Sequence, residues 1–138
     1  MTDPPKVVRT QFVLAVPSLA EAEAYWCGVL GFERRESPPG WLFLGLDGHG
    51  VMLGECVDDL APAALGSHSY FGYFELADVE AYAAAIASRG AIVLAPLADK
   101  PWGMRETAVA TPAGHRMMFA SRLRQDGVSA PANHENSP

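Results

Sequence analysis

Two stretches of the chain, DGHGVML (Asp47–Leu53) and AGHRMMF (Ala113–Phe119), share one plan. Each runs through Gly and His, one variable residue, and an apolar run with methionine at its second place. Working outward from both, the same series of elements precedes each. QFVLAV (Gln11–Val16) alternates as a strand, with Phe12, Leu14 and Val16 on one face. Pro17 breaks it, and Ser18 with Glu21 forms a capping box that opens a helix ending at Gly31. In the second half YFGYFEL (Tyr70–Leu76) reads as the strand, Asp78 caps VEAYAAAIASR, and Gly90 stops it.

Three further strand candidates follow each helix. They are FERRES, WLFLGLD and GVMLGEC in the first half, and AIVLAPL, RETAVAT and HRMMFAS in the second. Each half is therefore β-α-β-β-β, an internal duplication. The helix starts Leu19 and Val79 lie sixty residues apart, whereas Gly48/Gly114, His49/His115 and Met52/Met118 lie sixty-six apart. The six extra residues are expected in the loop APLADKPWGM (Ala95–Met104), because surface loops absorb insertions best.

At 138 residues, 49% hydrophobic and 19% charged, the chain has the length and composition of one soluble globular domain. No apolar run approaches the roughly 18–20 residues that span a bilayer, and the start lacks a secretory plan, so a cytoplasmic protein without membrane contact is expected. The formal charge is −6 with no basic patch, which sets nucleic acid aside and slightly favours a cationic small molecule. Cys27 and Cys56 show no metal-ligand spacing and no disulfide framework; both are read as structural.

The tandem βαβββ pair resembles the vicinal oxygen chelate superfamily, which includes glyoxalases, extradiol dioxygenases, fosfomycin-modifying enzymes and bleomycin resistance proteins. The match covers about residues 7–122. YWCGVLGFE (Tyr25–Glu33) looks like the family's helix-end signature, and TPAGHRMMF like its last hairpin and strand. KPWGMRETAVATPAGH (Lys100–His115) is most similar to the bleomycin resistance branch. The resemblance implies an α+β fold in which two modules, about 7–57 and 67–122, form a half-open barrel around a cleft, with helices outside. Residues 1–123 make the single domain, and the polar tail 124–138 is expected to be disordered. The half-barrels of such relatives pair within one chain or by exchange in a dimer, and exposed strand edges favour a homodimer.

Metal-dependent relatives place one ligand on the first and one on the last strand of each module. Carried over, those positions are Gln11, Met52, Phe71 and Met118. Only Gln11 could serve a hard or borderline ion; a thioether is soft and a phenyl ring is no ligand. No metal and no other cofactor is therefore expected. Alternation turns Val51, Leu53, His115, Met117 and Phe119 toward the helices and leaves Gln11, Val13, Met52, Phe71, Tyr73, Glu75, Arg116 and Met118 facing the cleft. Trp41 and Phe43 join them, and the inserted loop adds Trp102. Met52 and Met118 either fill irregular core gaps or line a pocket.

An aromatic, methionine-bearing cleft with few charges suits a small molecule, with aromatic faces able to stack on planar or cationic compounds. Glu75 could meet a ligand amine, and Arg116 could meet Glu75 or a ligand carboxylate. The leading expectation is a metal-free protein that sequesters an aromatic or cationic compound, as bleomycin resistance proteins do. One alternative is a metal-dependent lyase or dioxygenase with displaced ligands drawn from Gln11, His49, Glu55, His68, Glu75 and Glu106; a β-bulge would change the parity on which this choice rests. Another is a metal-free enzyme with Glu75 or Glu106 as general base.

Overall fold

The computed structural model describes residues 4–66 and 68–124. Apart from Arg124, the expected disordered tail lies outside the described residues. The elements run β1 (Gln11–Val16), α1 (Leu19–Gly28), β2 (Glu33–Glu36), β3 (Trp41–Leu46), β4 (His49–Glu55), a short 3₁₀ helix (Pro62–Leu65), β5 (Tyr70–Glu75), α2 (Val79–Ser88), β6 (Ile92–Asp99), β7 (Met104–Ala110) and β8 (Arg116–Arg122). They build two four-stranded sheets of matching order, β1-β4-β3-β2 and β5-β8-β7-β6. In each, the first strand runs parallel to the last and the remaining pairs are antiparallel. The sheets stay open, so the fold is the two-module α+β half-barrel that the duplication implies.

Local chemistry places the helices. Ser18 Oγ accepts from Glu21 N at 3.2 Å, and Asp78 Oδ1 accepts from Ala81 N at 3.1 Å, so each helix begins on a side-chain cap. The helix-facing surfaces of both sheets then share one core: Leu42, Leu44, Val51 and Leu53 from the first, Val109, Met117 and Phe119 from the second. Trp26 of α1 sits in it at 1% exposure, with its ring 5.0 Å from Phe32 and 5.9 Å from Phe71. Tyr25 OH donates to Ala110 O at 2.7 Å and accepts from Ile92 N at 2.8 Å; Tyr82 OH donates to Leu30 O at 2.7 Å. Aromatic hydroxyls thus join the modules back to back and satisfy backbone groups that would otherwise be orphaned. The opposite, cleft-side face of each sheet remains open.

The structure moves two sequence expectations. The extra residues of the second module do not form a ten-residue loop. Strand β6 runs on to Asp99, absorbing them through register shifts at Val93/Ala95 and Ala95/Ala98, and only Lys100–Gly103 turn the chain. Pro96 reads as a break, yet β6 is an edge strand, where a missing N–H costs no ladder bond. The second correction is Phe71. The β5–β8 register slips between Tyr70 and Gly72, so Tyr70 faces Arg116 but Gly72 faces Met117. This bulge takes Phe71 off the cleft parity, and its ring packs against Phe12 at 5.3 Å and Trp26 at 5.9 Å.

The linker between modules packs closely on one turn. Gly114 has φ +100°, and a Cβ there would lie 2.7 Å from Ala63 N; its duplicate Gly48, at φ +85°, faces open space. Gly48→Ala is expected to cost about 1–2 kcal/mol of backbone strain. Gly114→Ala should cost at least about 1 kcal/mol more, because backbone must move. Urea midpoints of the two variants measure the difference, and equal losses would refute the close packing of the linker.

Candidate functional site

Strand register assigns the cleft faces. In the first sheet Val13 pairs with Met52 and Met52 with Phe43, while Gln11 pairs with Gly50 and Trp41 with Gly54. Gln11, Val13, Trp41, Phe43 and Met52 therefore lie on one face, as alternation predicts. Glycines let neighbouring side chains lie flat on it. A Cβ at Gly54 would sit 3.0 Å from the Trp41 ring, one at Gly50 would meet Gln11 Oε1 at 2.6 Å, and one at Gly45 would collide with the Arg35 guanidinium. Arg35, which alternation alone did not bring to this face, thus supplies its cation. Trp41 and Phe43 rings stand 6.3 Å apart, and Val13 and Trp41 line an open hollow of about 300 Å³ that the first module alone walls.

In the second sheet Tyr73 pairs with Met118, Met118 with Ala108, and Glu106 with Ala120, which puts Tyr73, Glu106 and Met118 on the corresponding face. Here three residues converge. Glu106, only 4% exposed, accepts from Tyr73 OH at 2.7 Å and from Trp102 Nε1 at 2.8 Å, both on Oε2. Strand alternation brings Glu106 to the face, and the tight Lys100–Gly103 turn folds Trp102 back over it. Both donors are neutral, so these bonds fix the carboxylate without cancelling its charge. Burial, reinforced by the hydrogen bond to Glu106, pushes the Tyr73 phenol well above its ordinary range, keeping it a donor. The Trp102 ring remains 64% exposed, held at its nitrogen with its face free.

The other expected cleft residues are engaged differently. Arg116 does not meet Glu75: its Nη1 donates to Gly66 O in the linker, while Glu75 Oε2 pairs with Arg122 Nε at 2.8 Å. Of the four positions that correspond to the superfamily's metal ligands, two are thioethers, Phe71 is turned into the core, and Gln11 lies across Gly50. That donor set does not fit a divalent metal. Among the described residues no three His, Cys, Asp or Glu side chains group as a metal site, and no helix is long and apolar enough to cross a membrane.

His115 faces the core as expected, buried beside Phe71, with hydrogen bonds to the Ala15 backbone and between its own backbone N and Thr111 Oγ1. Burial lowers its pKa. A folded pKa below the unfolded value of about 6.5 means that the unfolded chain binds the proton first, so stability should be full above pH 6.5 and fall as pH drops toward the folded pKa. Denaturant unfolding across pH 7.5 to 5 should show that slope and His115→Gln should flatten it; identical slopes would remove the assignment to His115.

Paired βαβββ modules with open sheets define a class of small barrels built by duplication. The family model of the Glyoxalase/Bleomycin resistance protein/Dioxygenase superfamily matches residues 9–119, and the chain belongs to that superfamily. Among solved structures it is similar to TioX from Micromonospora sp. ML1, with 24% identity, 85% of this chain and 100% of that one covered, and a TM-score of 0.70. TnmS3, an antibiotic binding protein from Streptomyces sp. CB03234, is 20% identical over 87% and 99% of the two chains, with a TM-score of 0.71. A superfamily protein from Alicyclobacillus acidocaldarius is 14% identical over 91% and 98%, with a TM-score of 0.74. No curated protein matches the sequence.

Proposed function

We propose that this is a metal-free, cytoplasmic binding protein that sequesters a planar aromatic compound, preferentially a cation, and does no chemistry on it. The observation that carries the reading is Glu106: a buried carboxylate held by two neutral aromatic donors, with the Trp102 ring exposed beside it. Such an anchor favours a positive ligand, and the ring offers a stacking face. Within one chain the helix-facing surfaces of both sheets share one core, and each open cleft face is read as a half-site. We infer that a homodimer sets the first-sheet face of one copy, with Trp41, Phe43, Met52 and the Arg35 cation, against the second-sheet face of its partner. Arg35 on one wall and Glu106 on the other give the walls opposite charge. A fold neighbour that binds an antibiotic is consistent with this use of the scaffold.

The test is titration with proflavine, a planar cation, and acridone, its neutral counterpart, read by tryptophan fluorescence, with elemental analysis of the same protein after exposure to Zn, Ni, Mn and Fe(II). Expected are tighter binding of proflavine, one ligand site per cleft, no retained metal, and loss of about 1–3 kcal/mol of affinity in Trp102→Ala. Near-stoichiometric retained metal, or unchanged affinity in Trp102→Ala, would overturn the reading.

A further inference from the structure

The duplication places two cavities at equivalent points of the fold, and the chain treats them differently. One, about 230 Å³, lies between β1 and the β7–β8 turn; the other, about 300 Å³, lies between β5 and the β3–β4 turn. Their linings correspond through the repeat: Val13, Leu14 and Ala15 in the first answer to Tyr73, Phe74 and Glu75 in the second. His115 and Arg116 answer to His49 and Gly50.

The chain itself walls the first cavity. Leu60, Pro62 and Leu65 of the linker line it, as does Arg116, whose Nη1 donates to Gly66 O. The second has no such cover. Gly50 stands where Arg116 would be, Glu75 stands where Ala15 would be, and Asp47 adds a second carboxylate at the rim. Its turn glycine, Gly48, faces open space where Gly114 meets Ala63. Among the described residues no Lys or Arg lines it. Phe12 and Phe74, with ring centroids 5.8 Å apart, and Leu46 supply apolar walls.

We propose that this second cavity is a binding site for a small organic cation, an ammonium or guanidinium on an apolar body. The ligand would provide what the linker leucines and Arg116 provide in the duplicate. Its apolar part rests on Phe12, Leu46 and Phe74, and its charge meets Asp47 and Glu75. Glu75 also pairs with Arg122, but that pair is exposed, worth little, and open to sharing. The site borders the second cleft face at Tyr73, but neither Glu106 nor Trp102 lines it.

The test titrates the full ¹⁵N-labelled chain with phenethylamine and, separately, with neutral 2-phenylethanol, while proflavine reports on the cleft. The amine should give saturable amide shifts at Asp47–Gly50 and Glu75–Ala77, and the alcohol should not. The Asp47→Asn/Glu75→Gln variant should bind the amine about five- to tenfold more weakly, while Trp102→Ala binds it as wild type does. The proposal falls if the alcohol matches the amine, if the shifts gather at Trp41 and Trp102 instead, if the double variant binds undiminished, or if the amine gives no saturable shift. Proflavine binding without phenethylamine binding would remove this site and leave the cleft reading standing.

Discussion

Trp26→Ala should lower the unfolding free energy by about 3–5 kcal/mol, a large part of the roughly 5–15 kcal/mol that holds a domain of this size together. The ring is 1% exposed and joins layers of both modules: Phe32 beside its own helix, and Phe71 from the bulge of the second module. Removing it opens a cavity that surrounding strands cannot readily close, because Val16, Leu30 and Leu53 of the same core are themselves buried. The urea midpoint should fall with little change in slope, since the surface exposed on unfolding stays similar. Phe71→Ala should lose about 2–4 kcal/mol of stability for the same reason while leaving proflavine affinity near wild type. A Phe71→Ala protein that is fully stable and binds poorly would return the ring to the cleft; a Trp26→Ala loss under about 1 kcal/mol would deny the shared core.

Most of this architecture is legible in the repeat. The duplicated Gly-His and methionine positions, the two capped helices and the period-two strands fix both modules, and register confirms the faces of Met52, Met118, Tyr73, Val51 and Phe119. What alternation could not carry past was a single inserted residue. The bulge at Phe71 shifts pairing by one, and one is enough to exchange faces. A signal existed: Gly72 interrupts an otherwise aromatic strand, and a Cβ there would crowd Phe74 at 3.1 Å, so the close approach favours glycine. Alternation cannot place Arg35, because its strand is short and irregular, all exposed, and its seat is created by a glycine on another strand. Alternation puts Arg116 on the cleft strand but does not supply its partner Gly66, since nothing in the sequence says that the linker passes within its reach. Glu106 is legible in the sequence as a candidate base, but its hydrogen-bonded setting depends on a turn that returns Trp102 to it across four residues.

Glu106→Gln is the substitution with the largest expected effect on binding. Glutamine keeps the shape and one carbonyl oxygen, which can still accept from Tyr73 OH or Trp102 Nε1, but it removes the charge. A hydrogen bond to a charged group is worth about 1.5–3 kcal/mol, so proflavine affinity should fall roughly ten- to a hundredfold, while acridone affinity should stay within about twofold. Stability should hold or rise slightly, because a carboxylate at 4% exposure with only neutral donors is costly to bury and its removal relieves that cost. Tyr73→Phe should show the same preference in weaker form, since Trp102 would still hold the carboxylate. The contrast between the two ligands is the decisive reading. Equal loss for both would make Glu106 a packing residue of the second sheet, and no loss for either would place the aromatic site elsewhere. A loss confined to the cation would tie the buried carboxylate to what the cleft selects.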